Sequence, residues 1–258
     1  MRADTFTGVL VLFVVCGGVS TFLEWRWPER QVVPKLARGR WLDWAWWPAT
    51  AFLTGNLTRV LAVGLVACVV LGTGVAATPS EVLPALEASP FGVGLAPVPV
   101  QIAVALLLGD LVNYWNHRLR HTRWLWPFHA VHHRPVQLDW LSSVHIHPVD
   151  DLIDGVSVGL VLVAAGVSIP VWLATGPFLL FWDMWLHGNV ALPAERGWLV
   201  RCMATPGFHR WHHAGEAPSC NFAGVFPLWD VIFGTFFLPQ TAPLAFGSGA
   251  EEGDGLVD

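Results

Sequence analysis

The chain has 258 residues, enough for one domain of ordinary size. Apolar residues make up 54% of it and charged residues 13%, about half the charged share of a typical soluble domain, so the composition argues against an ordinary soluble protein and for a bilayer as solvent. The net charge of −5 is small and no basic, aromatic surface is evident, which speaks against nucleic acid as a partner.

Residues 5–23 form the first apolar run, long enough to cross the hydrocarbon at about 1.5 Å per residue. No clear cleavage site follows it, so an uncleaved helix is expected rather than a signal peptide. Residues 60–77 form a second run, expected to begin earlier, near Trp47, with Asn56 and Arg59 at the interface. Residues 98–115 form a third, which carries Asp110 and Asn113 near its end. Those two are costly in lipid unless they face the protein interior. The fourth apolar region, 155–187, is interrupted by Gly166 and Pro170. It reads as a re-entrant hairpin with arms 155–167 and 170–187.

Arg26, Arg30, Lys35, Arg38 and Arg40 lie between the first two runs, whereas 78–97 contains no lysine or arginine. The positive-inside rule then places 24–43 in the cytoplasm and 78–97 outside. Counting onward, the end of the third span and everything after the hairpin are cytoplasmic. Trp25, Trp27, Trp41, Trp44, Trp46 and Trp47 flank the basic loop as interfacial anchors. The four cysteines, Cys16, Cys68, Cys202 and Cys220, form no CxxC pair, and no disulfide is expected. The tail after residue 239 is glycine-rich and acidic (Glu251, Glu252, Asp254, Asp258) and is expected to be disordered. The expected fold is all-α: an integral membrane bundle of three to four spans plus the hairpin, with a cytoplasmic histidine-rich cap. Its parts are membrane anchor helices in 1–97, a catalytic unit in 98–239 and a tail in 240–258.

All eleven histidines lie between 117 and 213. His117 and His121 form HxxxH, which puts both rings on one helix face. His129, His132 and His133 form HxxHH, and His209, His212 and His213 repeat it. His187 ends the hairpin, and His145 and His147 precede Pro148. Imidazole suits iron, zinc, copper and nickel. One tetrahedral zinc uses at most four protein ligands, so three facing boxes suit two ions of higher coordination number. A lone HxxxH is more often an interfacial pair than a ligand pair, but three boxes converging on one membrane face are not explained that way. His145 reads as a loop histidine. The HExxH motif of zinc proteases is absent, because Arg118 and Ala130 follow the leading histidines.

DLVNYWNHRLRH (110–121), WPFHAVHH (126–133), HPVDD (147–151), LHGN (186–189), TPGFHRWHH (205–213) and NFAGVFPLWDVIFGTF (221–236) together resemble the fatty acid hydroxylase and sterol desaturase superfamily, in the same order throughout. The resemblance implies a helical membrane enzyme with two iron ions held by His117, His121, His129, His132, His133, His187, His209, His212 and His213. The hairpin end departs from the HxxxH of fatty acid 2-hydroxylase-like members, with Asp183 in the first position. Asp183 is then a ligand or a partner of one, or His147 completes the set. A ligating imidazole usually donates its other N–H to a carboxylate or carbonyl, which makes Asp110, Asp150, Asp183 and Asp230 candidates to orient the rings. Asp230 reads equally well as a local cap. Asn189 and Asn221 are candidates to hold a metal-bound water.

The implied reaction is O2-dependent oxidation of a lipid C–H bond, with the substrate entering sideways between the third span and the hairpin. Hydroxylation is preferred; desaturation is the alternative within the family, and a non-oxidative metal-binding membrane protein is the alternative outside it. No haem domain, iron–sulfur cysteine pattern or GxGxxG fingerprint is present, so a separate ferredoxin or haem protein with its reductase is implied. Arg118, Arg120, Arg123, Arg134, Arg201 and Arg210 are candidates for its docking, or for contact with lipid headgroups.

Overall fold

The protein is described from a computed structural model, and the described residues are 3–30, 41–49, 55–88, 92–192, 198–215, 217 and 219–247. Lys35, Arg38, Arg40, the stretch 50–54 and residues 248–258 of the tail lie outside them, as do the side chains of Trp41, Asn56 and Arg59. Among the described residues there are ten α-helices and three short 3-10 turns, and the only β-pairing is two isolated bridges, Pro28 to Val190 and Ala214 to Phe246.

The N-terminal part contains α1 (Ala3–Arg26), α2 (Trp41–Pro48), α3 (Gly55–Gly72) and α4 (Pro79–Ala88), followed by α5 (Val98–Arg120). Then come the short α6 (Trp126–His129), the hairpin α7 (Pro148–Ala164) and α8 (Ile169–His187), α9 (Pro206–His212) and α10 (Leu228–Phe233). Among the described residues three stretches are long and apolar enough to cross a membrane: Thr7–Arg26, Val98–Arg120 and Ile169–His187. At 1.5 Å per residue they measure roughly 30, 35 and 28 Å, which matches the hydrocarbon thickness.

Two helix ends depart from their expected positions for local reasons. The second run was expected to reach residue 77, but α3 stops at Gly72. Gly74 takes a left-handed φ of 74°, its N–H bonds to the Leu71 carbonyl and the Val75 N–H to the Val70 carbonyl, the Schellman stop that glycine permits. The same motif ends α7: Gly166 has φ 80°, and the Gly166 and Val167 N–H groups bond to Val163 and Leu162. The hairpin therefore breaks where Gly166 and Pro170 predicted, but its first arm begins at Pro148 rather than near 155. His147 is the reason. Its Nδ1 accepts the Val149 N–H at 3.1 Å and caps the helix. The second arm, α8, is itself long enough to span.

α7 packs between α3 and α5, and α8 lies against α1 and α5. At the C-terminal end of α1 the buried Glu24 carboxylate accepts the N–H groups of Trp140 (2.8 Å) and Asn189 (3.1 Å). It thereby ties α1 to the 3-10 turn Trp140–Val144 and to the chain leaving α8. Trp140 rests on Gly17, where a Cβ would come within 2.8 Å of the indole ring. The C-terminal ends of α1, α5 and α8 thus meet at one face, and the histidine-bearing segments cover it.

Candidate metal centre

His117 and His121 project from the last turns of α5, the next box straddles α6, His187 ends α8, and the last box lies on α9 and its C-cap. Proline opens α9 at Pro206, and the Thr205 hydroxyl accepts the Phe208 N–H at 3.2 Å, so this short helix is fixed at its start. All nine of these histidines are buried and fall into two adjacent groups. One comprises His117, His121, His129, His133 and His212; the other comprises His132, His187, His209 and His213. Within each group the candidate ligand atoms lie within 4.8 Å of one another. The groups abut, with the His133 and His213 rings stacked at 4.4 Å.

Hydrogen bonds fix which nitrogen faces inward. The Nδ1 atoms of His117, His132, His187 and His212 donate to the carbonyls of Phe222 (2.8 Å), His145 (3.1 Å), Asp183 (2.8 Å) and Cys220 (2.8 Å). His129 Nδ1 donates to the Asp150 carboxylate at 3.1 Å. A carbonyl only accepts, so Nδ1 carries the proton and Nε2 is left with a bare lone pair. In the second group the bare Nε2 atoms of His132 and His187 face each other at 3.1 Å, and the Nε2 atoms of His187 and His209, and of His209 and His213, also lie 3.1 Å apart. In the first group the Nε2 atoms of His117, His129, His133 and His212 have no hydrogen-bond partner among the described residues. Burial first, then the neighbouring imidazoles, holds His129, His132, His133, His209 and His213 well below the ordinary 6.5. His212 is lowered by burial and His121, against the Cys220 hydrogen bond. These six rings are therefore neutral, the form that binds metal. Two imidazoles bonded to one ion at about 2.1 Å and at right angles sit about 3.0 Å apart. The residues present fit a metal at each group.

A scaffold behind the rings holds the carbonyls in place. The Asp110 carboxylate accepts the N–H groups of Gly224, Val225 and Phe226 at 2.7–3.0 Å. Asp230 accepts those of Phe222 and Ala223 at 2.8 and 2.9 Å, and the Thr235 hydroxyl. Neither touches a histidine. They fix the strand of chain whose Cys220 and Phe222 carbonyls orient His212 and His117, so Asp110 acts through that loop rather than on the first box directly. Asp230 is more than a local cap for the same reason. Asn221, at φ 58°, bonds the Phe208 and Phe237 backbones, and Asn189 bonds the Arg30 backbone. Both amides are thus committed to the chain rather than to a metal-bound water. Burial pushes the Cys220 thiol up to about 12, and Cys220 belongs to neither histidine group.

His147 lies outside both groups, its Nδ1 used as the α7 cap and its ring against Phe128 at 5.0 Å. His145 is also outside them, with its ring 5.7 Å from Trp46. Asp183 is in neither group; its carboxylate is 3.5 Å from His187 Nδ1. Arg120 and Arg210, expected at a docking surface, are buried. Arg120 pairs with Asp150 and Asp154, and Asn116 donates to Asp154 at 2.9 Å, so the acid behind His129 is itself braced. Arg210 donates to the Gly188 and Val190 carbonyls. This bracing is what sequence reading missed. The signal available was Asp154 standing one helical turn after Asp150 in an otherwise apolar helix.

A cavity of about 460 Å³ runs between α5, α7 and α8, walled by Ala105, Leu106, Val158, Leu162, Trp172 and Leu179 among others. A smaller chamber of about 110 Å³ is lined by His117, His129, His132, His187 and His209. Asn113, Ile146, Asp154, Asp183, Leu186 and Gly224 line both, so the larger space leads to the histidines.

Comparison with known proteins agrees with this geometry. Over 146 residues the chain is 31% identical to an ornithine lipid hydroxylase of Rhizobium tropici, covering 55% of this chain and 44% of that one. It is 29% identical over 153 residues to methylsterol monooxygenase 1-3 of Arabidopsis thaliana, covering 55% and 49%. It is 30% identical over 150 residues to an alkylglycerol monooxygenase of Danio rerio, covering 56% and 32%. The chain thus matches less than half the length of each of these relatives. No solved structure matches it. The fatty acid hydroxylase family matches residues 102–235, more than half of the chain and the whole of the histidine-bearing part, and the protein is a membrane-embedded member of that family.

Proposed function

We propose that the protein hydroxylates a membrane lipid with O2 and electrons from a separate protein donor, at two iron ions held by the nine histidines. The observation that carries this reading is the convergence of buried Nε2 atoms at 3.1 Å, above all His132 against His187, where both Nδ1 atoms hold the proton and the contact is repulsive unless a cation sits between the two lone pairs. Iron, when bound, supplies O2 activation and the oxidising power that an unactivated C–H bond requires. The chain's own residues do the rest. Asp150, braced by Arg120, holds His129; the 220–226 backbone, gripped by Asp110 and Asp230, holds His117 and His212; and the apolar walls of the cavity exclude water and align the substrate. The named hydroxylase and monooxygenases among the relatives support oxygen insertion over desaturation. On this reading residues 98–239 are the catalytic unit, the earlier helices are its anchor, and the histidine face lies on the cytoplasmic side of the cell's inner membrane, within reach of a ferredoxin or haem-protein donor.

The test is metal analysis of the purified full chain, O2 consumption with a reducing partner, and mass spectrometry of extracted lipids. Two irons per chain and a product heavier by one oxygen are expected. A product lighter by two hydrogens makes the protein a desaturase, and bound zinc without O2 uptake ends the oxygenase reading.

A further inference from the structure

Asp183 stands where the large cavity meets the histidine chamber and lines both. Its side chain is 45% exposed, and it is the one charged residue of α8 before His187. It is not needed to orient His187, because that ring already gives its Nδ1 hydrogen to the Asp183 carbonyl. The other acids of the cavity wall are engaged: Asp110 by three N–H groups, Asp151 by the Thr58 hydroxyl, and Asp154 by Arg120 and Asn116. The one donor near the Asp183 carboxylate among the described residues is His187 Nδ1 at 3.5 Å, whose hydrogen goes to the Asp183 carbonyl, and a carboxyl group at membrane depth is expensive unless something satisfies it. From Asp183 the cavity extends along α8 to Trp172, about 16 Å at the helical rise, between mostly apolar side chains.

Resting on the reading above, we infer that Asp183 binds a hydrogen-bond-donating group of the substrate, a hydroxyl or an ammonium, and so sets the carbon that is oxidised. The substrate class is then a single-chain amphiphile bound with its polar end toward the histidines and its tail toward Trp172. Oxygen enters near the polar end rather than at the chain terminus. A site built to hydrogen-bond such a group discriminates strongly against an analogue without it, because its own polar group is left unpaired.

The experiment uses the metal-loaded full chain in lipid nanodiscs with three probes of equal chain length: hexadecylammonium, hexadecanol and hexadecane. Thermal stabilisation reports binding, and product mass spectrometry reports the position of oxygen. Wild type should bind the two headed chains at least tenfold more tightly than the alkane, on the order of what one charge-assisted hydrogen bond provides. Asp183→Leu should erase that preference and scatter the product position at unchanged metal content. Asp183→Asn keeps an acceptor but loses the charge, and should keep the preference for the alcohol while weakening that for the ammonium. Equal binding of the alkane to wild type, an undiminished preference in Asp183→Leu, or loss of metal in that variant would each overturn the inference. Hydroxylated lipid with no headgroup dependence removes this inference alone, whereas absence of both oxidation and binding removes the proposed function with it.

Discussion

In α1, Val11, Val14, Val15 and Phe22 each leave more than half of their surface uncovered, and the helix is held by apolar contacts and by Glu24 at its end. Between Asp110 and Asp230 the situation is reversed: the nine histidines, Asp110, Asp150, Asn221 and Asp230 are all buried, and the amides and carboxylates among them are tied to backbone or to each other. The first region asks of its sequence only length and apolarity, because lipid is an indifferent neighbour to one aliphatic side chain or another. The second asks for particular donors and acceptors at particular places, because an unpaired polar group in a dry interior is costly. One region should therefore tolerate substitution that the other does not.

The sharpest way to break that contrast is His132→Ala. Metal loading and lipid oxidation should both fall, the latter on the order of 100-fold or more, while membrane fractionation still finds the protein inserted. Full turnover in this variant would refute the centre. Asp110→Ala leaves three buried N–H groups without an acceptor and should cost about 3 kcal/mol or more, read as a lowered unfolding temperature in detergent; an unchanged temperature would mean that the 224–226 loop is held by something else. Acid should act on the histidine region alone. Six of its histidines outside the spans have folded pKa values depressed below 6.5, so below that pH the unfolded chain binds more protons than the folded one. The stability of the chelator-treated protein should then be steady above pH 6.5 and decline as pH falls through it, by about 1.4 kcal/mol per pH unit for each histidine involved. Asp150→Asn keeps an acceptor for His129 but loses its charge, and should weaken metal binding about tenfold in a chelator competition. At the small end, Val14→Ala on the lipid face of α1 should shift stability by less than about 0.5 kcal/mol and leave metal content untouched.

The sequence determined by itself the apolar spans, the break at Gly166 and Pro170, and the three boxes whose spacing puts imidazoles on common faces. These are local properties: hydropathy over a run, a left-handed glycine, and the 3.6-residue period of a helix act within a few residues of where they are written. Tertiary structure alone decided how nine histidines divide five and four, because that depends on rings arriving from α5, α6, α8 and α9 at once. It also decided which neighbours fix them. Asp110 was a candidate to orient a ring itself, but its carboxylate instead grips a loop more than a hundred residues away, and that loop's carbonyls turn the rings. Carbonyl groups are present at every residue and carry no sequence signature, so their part could be seen only once the chain had folded. The same holds for His147, which the Pro-Val-Asp-Asp stretch marks as a helix start only when its ring is seen accepting the Val149 N–H, and for Asp183, whose role is set by the cavity it faces.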